Sequence, residues 1–343
     1  MAFIDFTDAP IDLSTKYGGS DQKRGVLYNG SRYMIKMADR IPDDKRNAMN
    51  SSYYNSAFSE YICCHIIASM GIPVQETLLG IMTVTSSRTG ELREHPVVAC
   101  KNFLKPNEEL IEFKVIENAL LDRKPGKTPH IDDIYSIMLT DNAYFTREFG
   151  EEAMERYWDT FVLDALFGNF DRHSNNWGYI VNKDTREISL APIYDCGSCL
   201  YPQVADTGIP EILSNEEEIQ KRIDVYPNAA LLENGKKVSY RMYINSLSNE
   251  DCNDAILRIC PRIDFDKINE IIDSIDELTD IHKEFYKTML HERYVQILEP
   301  AYEQLINREQ LLNELLNDEE LDATGLNITA DYDSENYDPS DNM

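Results

Sequence analysis

The sequence predicts an α+β protein of two lobes: a small β-rich N-terminal lobe with one main helix, and a mostly helical C-terminal lobe. Three observations carry that expectation. Strand-like runs flank an Asn29-Gly30 pair near the N-terminus, the signature of a two-residue hairpin turn. Apolar residues recur at helical spacing over 154–167 and again over most of 246–316. A chain of 343 residues is also too long for one simple core and suits two of ordinary size. The lobes are expected at 1–104 and 105–316, followed by an acidic disordered tail at 317–343.

Each element follows from local pattern. The segment GGSDQKRGVLYNGSRYMIKM places glycines at 18, 19 and 25 ahead of the hairpin. In AFSEYICCHIIASMGIPV, Phe58, Tyr61, Ile62, Ile66 and Met70 share a helical face, and Gly71 with Pro73 stops the helix. Residues 74–104 alternate like strands around a Ser-Ser-Arg-Thr-Gly turn and end in HPVVACKNFL. From 107 to 167 the pattern reads as helix, closed by Gly168. A strand pair follows, WGYIVN and EISLAPIYD, joined by Lys183-Asp184-Thr185. The helical stretch at 246–316 is expected to break near Pro300.

Composition narrows the function classes. The first twenty residues lack the basic start and apolar run of a signal peptide, and no stretch approaches the ~18 apolar residues of a membrane span. A cytoplasmic protein is expected, with secretion that needs no cleaved signal left open. A net charge of −28 without a basic stripe opposes nucleic acid, and no basic amphipathic stretch suggests a membrane. Nine acids and no Lys or Arg follow from Asp318, hence the expected disorder there. Seven cysteines in mostly apolar surroundings read as reduced, buried thiols. Cys196 and Cys199 form a CxxC without a second pair at comparable spacing, which argues against zinc.

The chemistry concentrates in G168-N-F-D-R-H-S-N-N-W-G178, a polar loop between an apolar helix and an apolar strand. Asp171 and Asn176 stand five positions apart, the separation of the base and the metal-binding Asn in the catalytic loop of protein kinases. Asp195, at the end of A-P-I-Y-D-C-G, supplies a second hard oxygen of the kind magnesium takes. Lys36, in the strand RYMIKM, is placed to meet ATP phosphates, and Glu60 on the next helix to hold it extended. Backbone groups from Cys100 to Asn102 would read the adenine. His173 is expected to orient the loop, because Asp171 already fills the role of base.

Blander readings stand beside these. Asp171 to Asn176 is also what a solvated turn looks like, Lys36 an ordinary strand lysine, and Glu60 an acid capping its helix. Arg172 is either a solvated charge or a phosphate contact. Trp158 and Trp177 belong more naturally to the core. The turn reading alone leaves the placement of Asp195, Lys36 and Glu60 unexplained.

Asn169, Asp171, His173 and Asn176 complete an N-x-D-x-H-x-x-N motif, and Ala191 to Asp195 an A-P-x-Y-D strand. In these, and in SEYICCHIIASMGIPVQE, the chain resembles the HipA family of Ser/Thr kinases, most nearly its short CtkA-type members, over roughly residues 15–310. The resemblance implies a protein-kinase-like fold and ATP- and magnesium-dependent phosphorylation of a protein, with Asp171 as base and Asn176 and Asp195 as metal ligands. It also implies self-phosphorylation in the glycine loop, where Ser20 is the candidate. The loop reads Gly18-Gly19-Ser20 instead of G-x-G-x-x-G, so its phosphate contacts are not carried over. The extra N-terminal subdomain of the long toxin members is missing ahead of it, so an antitoxin-like partner is left open. Family analogy points to a host or translation-related protein as substrate. The D-R-x-x-N-N-W stretch is also similar to type II phosphatidylinositol 4-kinases, which keeps a lipid or small-molecule kinase as an alternative, beside a nucleotide-binding pseudokinase module.

Overall fold

The structure, a computed structural model, describes residues 3–13, 22–37, 55–85, 90–122, 126, 128–142 and 144–326. Its small lobe is a five-stranded sheet in the order β1-β4-β5-β3-β2. β2 (Gln22–Tyr28) and β3 (Ser31–Met37) form the expected hairpin, and Asn29 and Gly30 take φ 47° and 75°, the left-handed pair such a turn demands. β4 (Thr77–Thr85) and β5 (Leu92–Lys101) pair antiparallel, with β3 on the other side of β5. β1 (Ile4–Asp5), which no local pattern announces, runs parallel to β4. It passes so close to Gly80 that a Cβ there would lie 2.2 Å from the Ile4 carbonyl oxygen.

Helix α1 (Ser56–Ser69) is the one main helix of this lobe and ends ahead of Gly71 at φ 74°. Ten of its fourteen residues are buried, because it lies between the sheet and the large lobe. Its N-terminal Asn55 donates through Nδ2 to the Val204 carbonyl at 2.8 Å. Beyond α1, Gln75 N–H donates to the Ile193 carbonyl, and Ile193 N–H to that of Pro73, at 2.8 and 3.0 Å. The two lobes therefore share backbone pairing as well as side-chain packing.

The stretch expected to be helical from 107 opens instead as β6 (Glu108–Glu112). EELIE carries no alternation of its own and is a strand by its pairing with β7 (Gly178–Asn182), which pairs in turn with β8 (Ile188–Leu190). Short helices α2 (Phe113–Leu120) and α3 (Ile131–Met138) lead to α4 (Arg147–Phe167), the axis of the large lobe. Thr146 caps α4 at one end, accepting from Phe149 N–H, and Gly168 at φ 66° closes it as expected. Most of α4 is buried, Trp158 completely. Residues 200–245 fold as small pieces: α5 (Ile209–Leu213), α6 (Glu216–Asp224), the hairpin β9 (Leu232–Glu233) to β10 (Lys236–Lys237), and α7 (Tyr240–Ser246).

The C-terminal helices are α8 (Glu250–Ile259), α9 (Phe265–Asp273), α10 (Asp280–Arg293) and α11 (Glu299–Leu326). The expected interruption near Pro300 is a π-helical turn at Tyr294–Leu298, which separates α10 from α11 and precedes Pro300, the second residue of α11. α11 also continues past the expected boundary at 316. No described helix is long and apolar enough to cross a membrane.

Candidate active site

Three side chains from three elements meet at the junction of the lobes. Lys36 Nζ donates to Glu60 Oε2 at 2.8 Å and to Asp195 Oδ1 at 2.9 Å. β3 supplies the lysine and α1 the glutamate, while the carboxylate stands just beyond β8, 159 positions from Lys36. Glu60 is fully buried, and its other oxygen accepts from Cys196 N–H at 3.0 Å. Gly197 leaves room for that approach, since a Cβ there would lie 3.1 Å from Glu60 Oε2. Asp195 holds φ 61°, a strained conformation of the kind that gathers at working sites.

The charges are uneven. Burial alone would favour a neutral Lys36, but Asp195 and Glu60 overcome it and raise the ammonium well above its ordinary range. Burial likewise pushes the Asp195 carboxyl up, and the Lys36 charge and hydrogen bond outweigh it, holding the group at about 2. Burial, with Asp195 nearby, raises Glu60 against the pull of Lys36. One ammonium thus faces two carboxyl groups, and Asp195, about a third exposed, keeps an oxygen that Lys36 does not use. An anionic, partly exposed oxygen suits a hard cation.

The loop from Gly168 to Gly178 is fastened from below. Asn169, buried at the end of α4, donates to Asp164 Oδ1 at 2.8 Å and accepts from Asp171 N–H at 3.0 Å. Asn176 Nδ2 donates to the Asp171 carbonyl at 2.6 Å, which turns the amide and leaves Oδ1 as its acceptor. His173 Nε2 lies 3.7 Å from Asp171 Oδ1, and its Nδ1 accepts from Asn175 N–H at 3.3 Å. The side chain of Asp171 is 38% exposed, open enough to meet a substrate.

Arg172 is neither solvated nor a phosphate contact. Its guanidinium is buried and grips both oxygens of Asp164, at 2.9 and 3.1 Å. It also donates to the carbonyls of Asn176 and Tyr194. One side chain so ties α4, the loop 168–178 and the Asp195 segment together. The sign in the sequence was Asp164, a lone acid inside the apolar run Val162-Leu163-Asp164-Ala165-Leu166.

The other expected site residues fall as follows. Gly18, Gly19 and Ser20 lie outside the described residues. Cys100 is buried in β5, between β3 and β4. The Lys101 and Asn102 N–H groups already donate to the carbonyls of Glu76 and Arg32, both at 2.9 Å. Cys63 and Cys64 of α1 lie beside Cys199 and Cys196. The Cys196 sulfur accepts from the thiols of Cys199 and Cys64 and from Arg172, and these donors hold it well below its usual range. Among the described residues no group of three or more His, Cys, Asp or Glu side chains is arranged to hold a metal.

This arrangement has close parallels. Residues 15–275 match the HipA-like C-terminal domain. The serine/threonine-protein kinase CtkA of Helicobacter pylori strain J99 is 40% identical over 310 residues, covering 89% of this chain and 90% of that one. The crystal structure of the H. pylori proinflammatory kinase CtkA superposes with a TM-score of 0.78 at 38% identity, over 89% of this chain and 98% of the other. A family match across most of the chain, and a fold shared with a relative of that identity, place the two in one lineage: the chain belongs to the HipA-like family of serine/threonine protein kinases.

Proposed function

We propose that this kinase passes the γ-phosphoryl group of ATP to a serine or threonine hydroxyl, with Asp171 accepting the hydroxyl proton. Lys36 would hold the phosphates, and Asn176 and Asp195 would hold magnesium. The observation that carries the reading is the Lys36 ammonium between Glu60 and Asp195, assembled beside the loop of Asp171 and Asn176 from distant parts of the chain. Two protein oxygens with open coordination suit magnesium, which completes its shell with water and phosphate. Bound there, the ion would neutralise phosphate charge. Lys36, kept charged and extended by Glu60, needs no reorientation before it meets a phosphate. Asn169 and Asn176 fix the Asp171 backbone, so its carboxylate is aimed in advance.

Asp171→Asn should abolish transfer to protein while magnesium-ATP affinity stays within about threefold, since a base is needed for turnover and not for binding. Asp195→Asn should weaken nucleotide binding only when magnesium is present. Calorimetry with each variant, beside a labelled-ATP assay, separates the two roles. Loss of nucleotide by Asp171→Asn and its retention by Asp195→Asn would reverse the assignment.

A further inference from the structure

Behind the catalytic loop the large lobe holds a pocket open to solvent, about 620 Å3 with the solvent at its mouth counted, between α4, the β7–β8 hairpin and residues 229–231. Its wall is largely aromatic and aliphatic, with Tyr157, Phe161, Trp177, Tyr179, Leu190 and Leu231 among its members. Three of the wall's polar groups lack a protein partner among the described residues. The indole Nε1 of Trp177 and the hydroxyl of Tyr179 are buried without a hydrogen bond among the described residues. The guanidinium of Arg156, half-buried on α4, makes no hydrogen bond or ion pair among them.

All three can donate, and Trp and Arg do nothing else. The other charges of the wall are satisfied, because Asp164 and Arg172 are spent on each other. Glu152, Glu155 and Asp159 lie near enough to Arg156 to favour its charge, but Asp159 is engaged by Arg258 at 2.8 Å. Burying unpaired donors costs free energy that an acceptor would recover. We propose that this cavity is a second ligand site, which takes a small aromatic carboxylate with its ring against the apolar wall and its charge on Arg156. Arg172 and Asn176 also form part of the wall, so the occupant touches the back of the catalytic loop.

Titration calorimetry of the full chain with 3-phenylpropanoate tests the site against 3-phenylpropan-1-ol, which has the same body without the charge. The acid should bind saturably, and the alcohol at least tenfold more weakly. Arg156→Met should lose at least tenfold in affinity for the acid while still binding magnesium-ATP, and Ala230→Phe, which fills the cavity, should abolish binding of the acid. The proposal is overturned if the acid gives no saturable heat at millimolar concentration. It is equally overturned if the alcohol matches the acid, or if folded Arg156→Met or Ala230→Phe protein binds the acid as tightly as the parent.

Discussion

Arg172 and Asp164 show how much a single buried pair decides. Burial pushes the Asp164 carboxyl up, against the pull of Arg172, so the pair survives as ions only while both are present. Arg172→Met should cost roughly 3–5 kcal/mol, the usual loss on stranding a buried charge. Replacing both, as Asp164→Leu with Arg172→Met, should restore much of that stability but not kinase activity, because the Tyr194 and Asn176 carbonyls lose their donor. Denaturant unfolding of the single and double variants checks this, and a single-variant loss below about 1 kcal/mol would sink the idea. That Lys36, Glu60 and Asp195 meet, beside the loop of Asp171 and Asn176, could be anticipated from the chain because residue type, order and spacing point to it. The role of Arg172 could not, since its partner is defined only once α4 turns Asp164 toward the loop.

At the scale of elements, legibility followed locality. The β2–β3 hairpin, α1 and α4 declare themselves through Asn29-Gly30, through apolar periodicity and through Gly71 and Gly168. β6 did not, because EELIE becomes a strand only by pairing with β7, whose register sets Ile111 opposite Tyr179. β1 and the short pieces between 200 and 245 are likewise held by tertiary contacts. Helix α10 carries a pH dependence of its own. His282 is 1% exposed, with Nδ1 2.8 Å from Asp206 Oδ1, and burial lowers its pKa below the ordinary value despite that carboxylate. The unfolded chain therefore takes up a proton that the folded one refuses. This contribution is full above about pH 6.5 and is lost as the pH falls from there through the lowered folded value. Between pH 7.5 and 5.5 the parent should lose up to about 1 kcal/mol more than His282→Gln. Urea midpoints at the two pH values measure it, and equal losses would exclude the group.

For the whole molecule, Leu305 of α11 is buried, and Leu311, Leu312 and Leu315 further along it are exposed. Deleting residues 318–343 removes nine acids and none of these anchors. The melting temperature should shift by less than about 2 °C, as scanning calorimetry would show, and a larger fall would mean that this end of the chain packs. The seam between the lobes has a wider consequence. Asn55 is bonded to Val204, and Pro73 and Gln75 to Ile193, two positions ahead of Asp195. The molecule is bound along one side like a book, and the spine passes beside the Asp195 carboxylate. Covers so joined cannot slide past each other. Any parting of the covers is expected to hinge on this spine, with Asn55, Pro73 and Gln75 as its stitches.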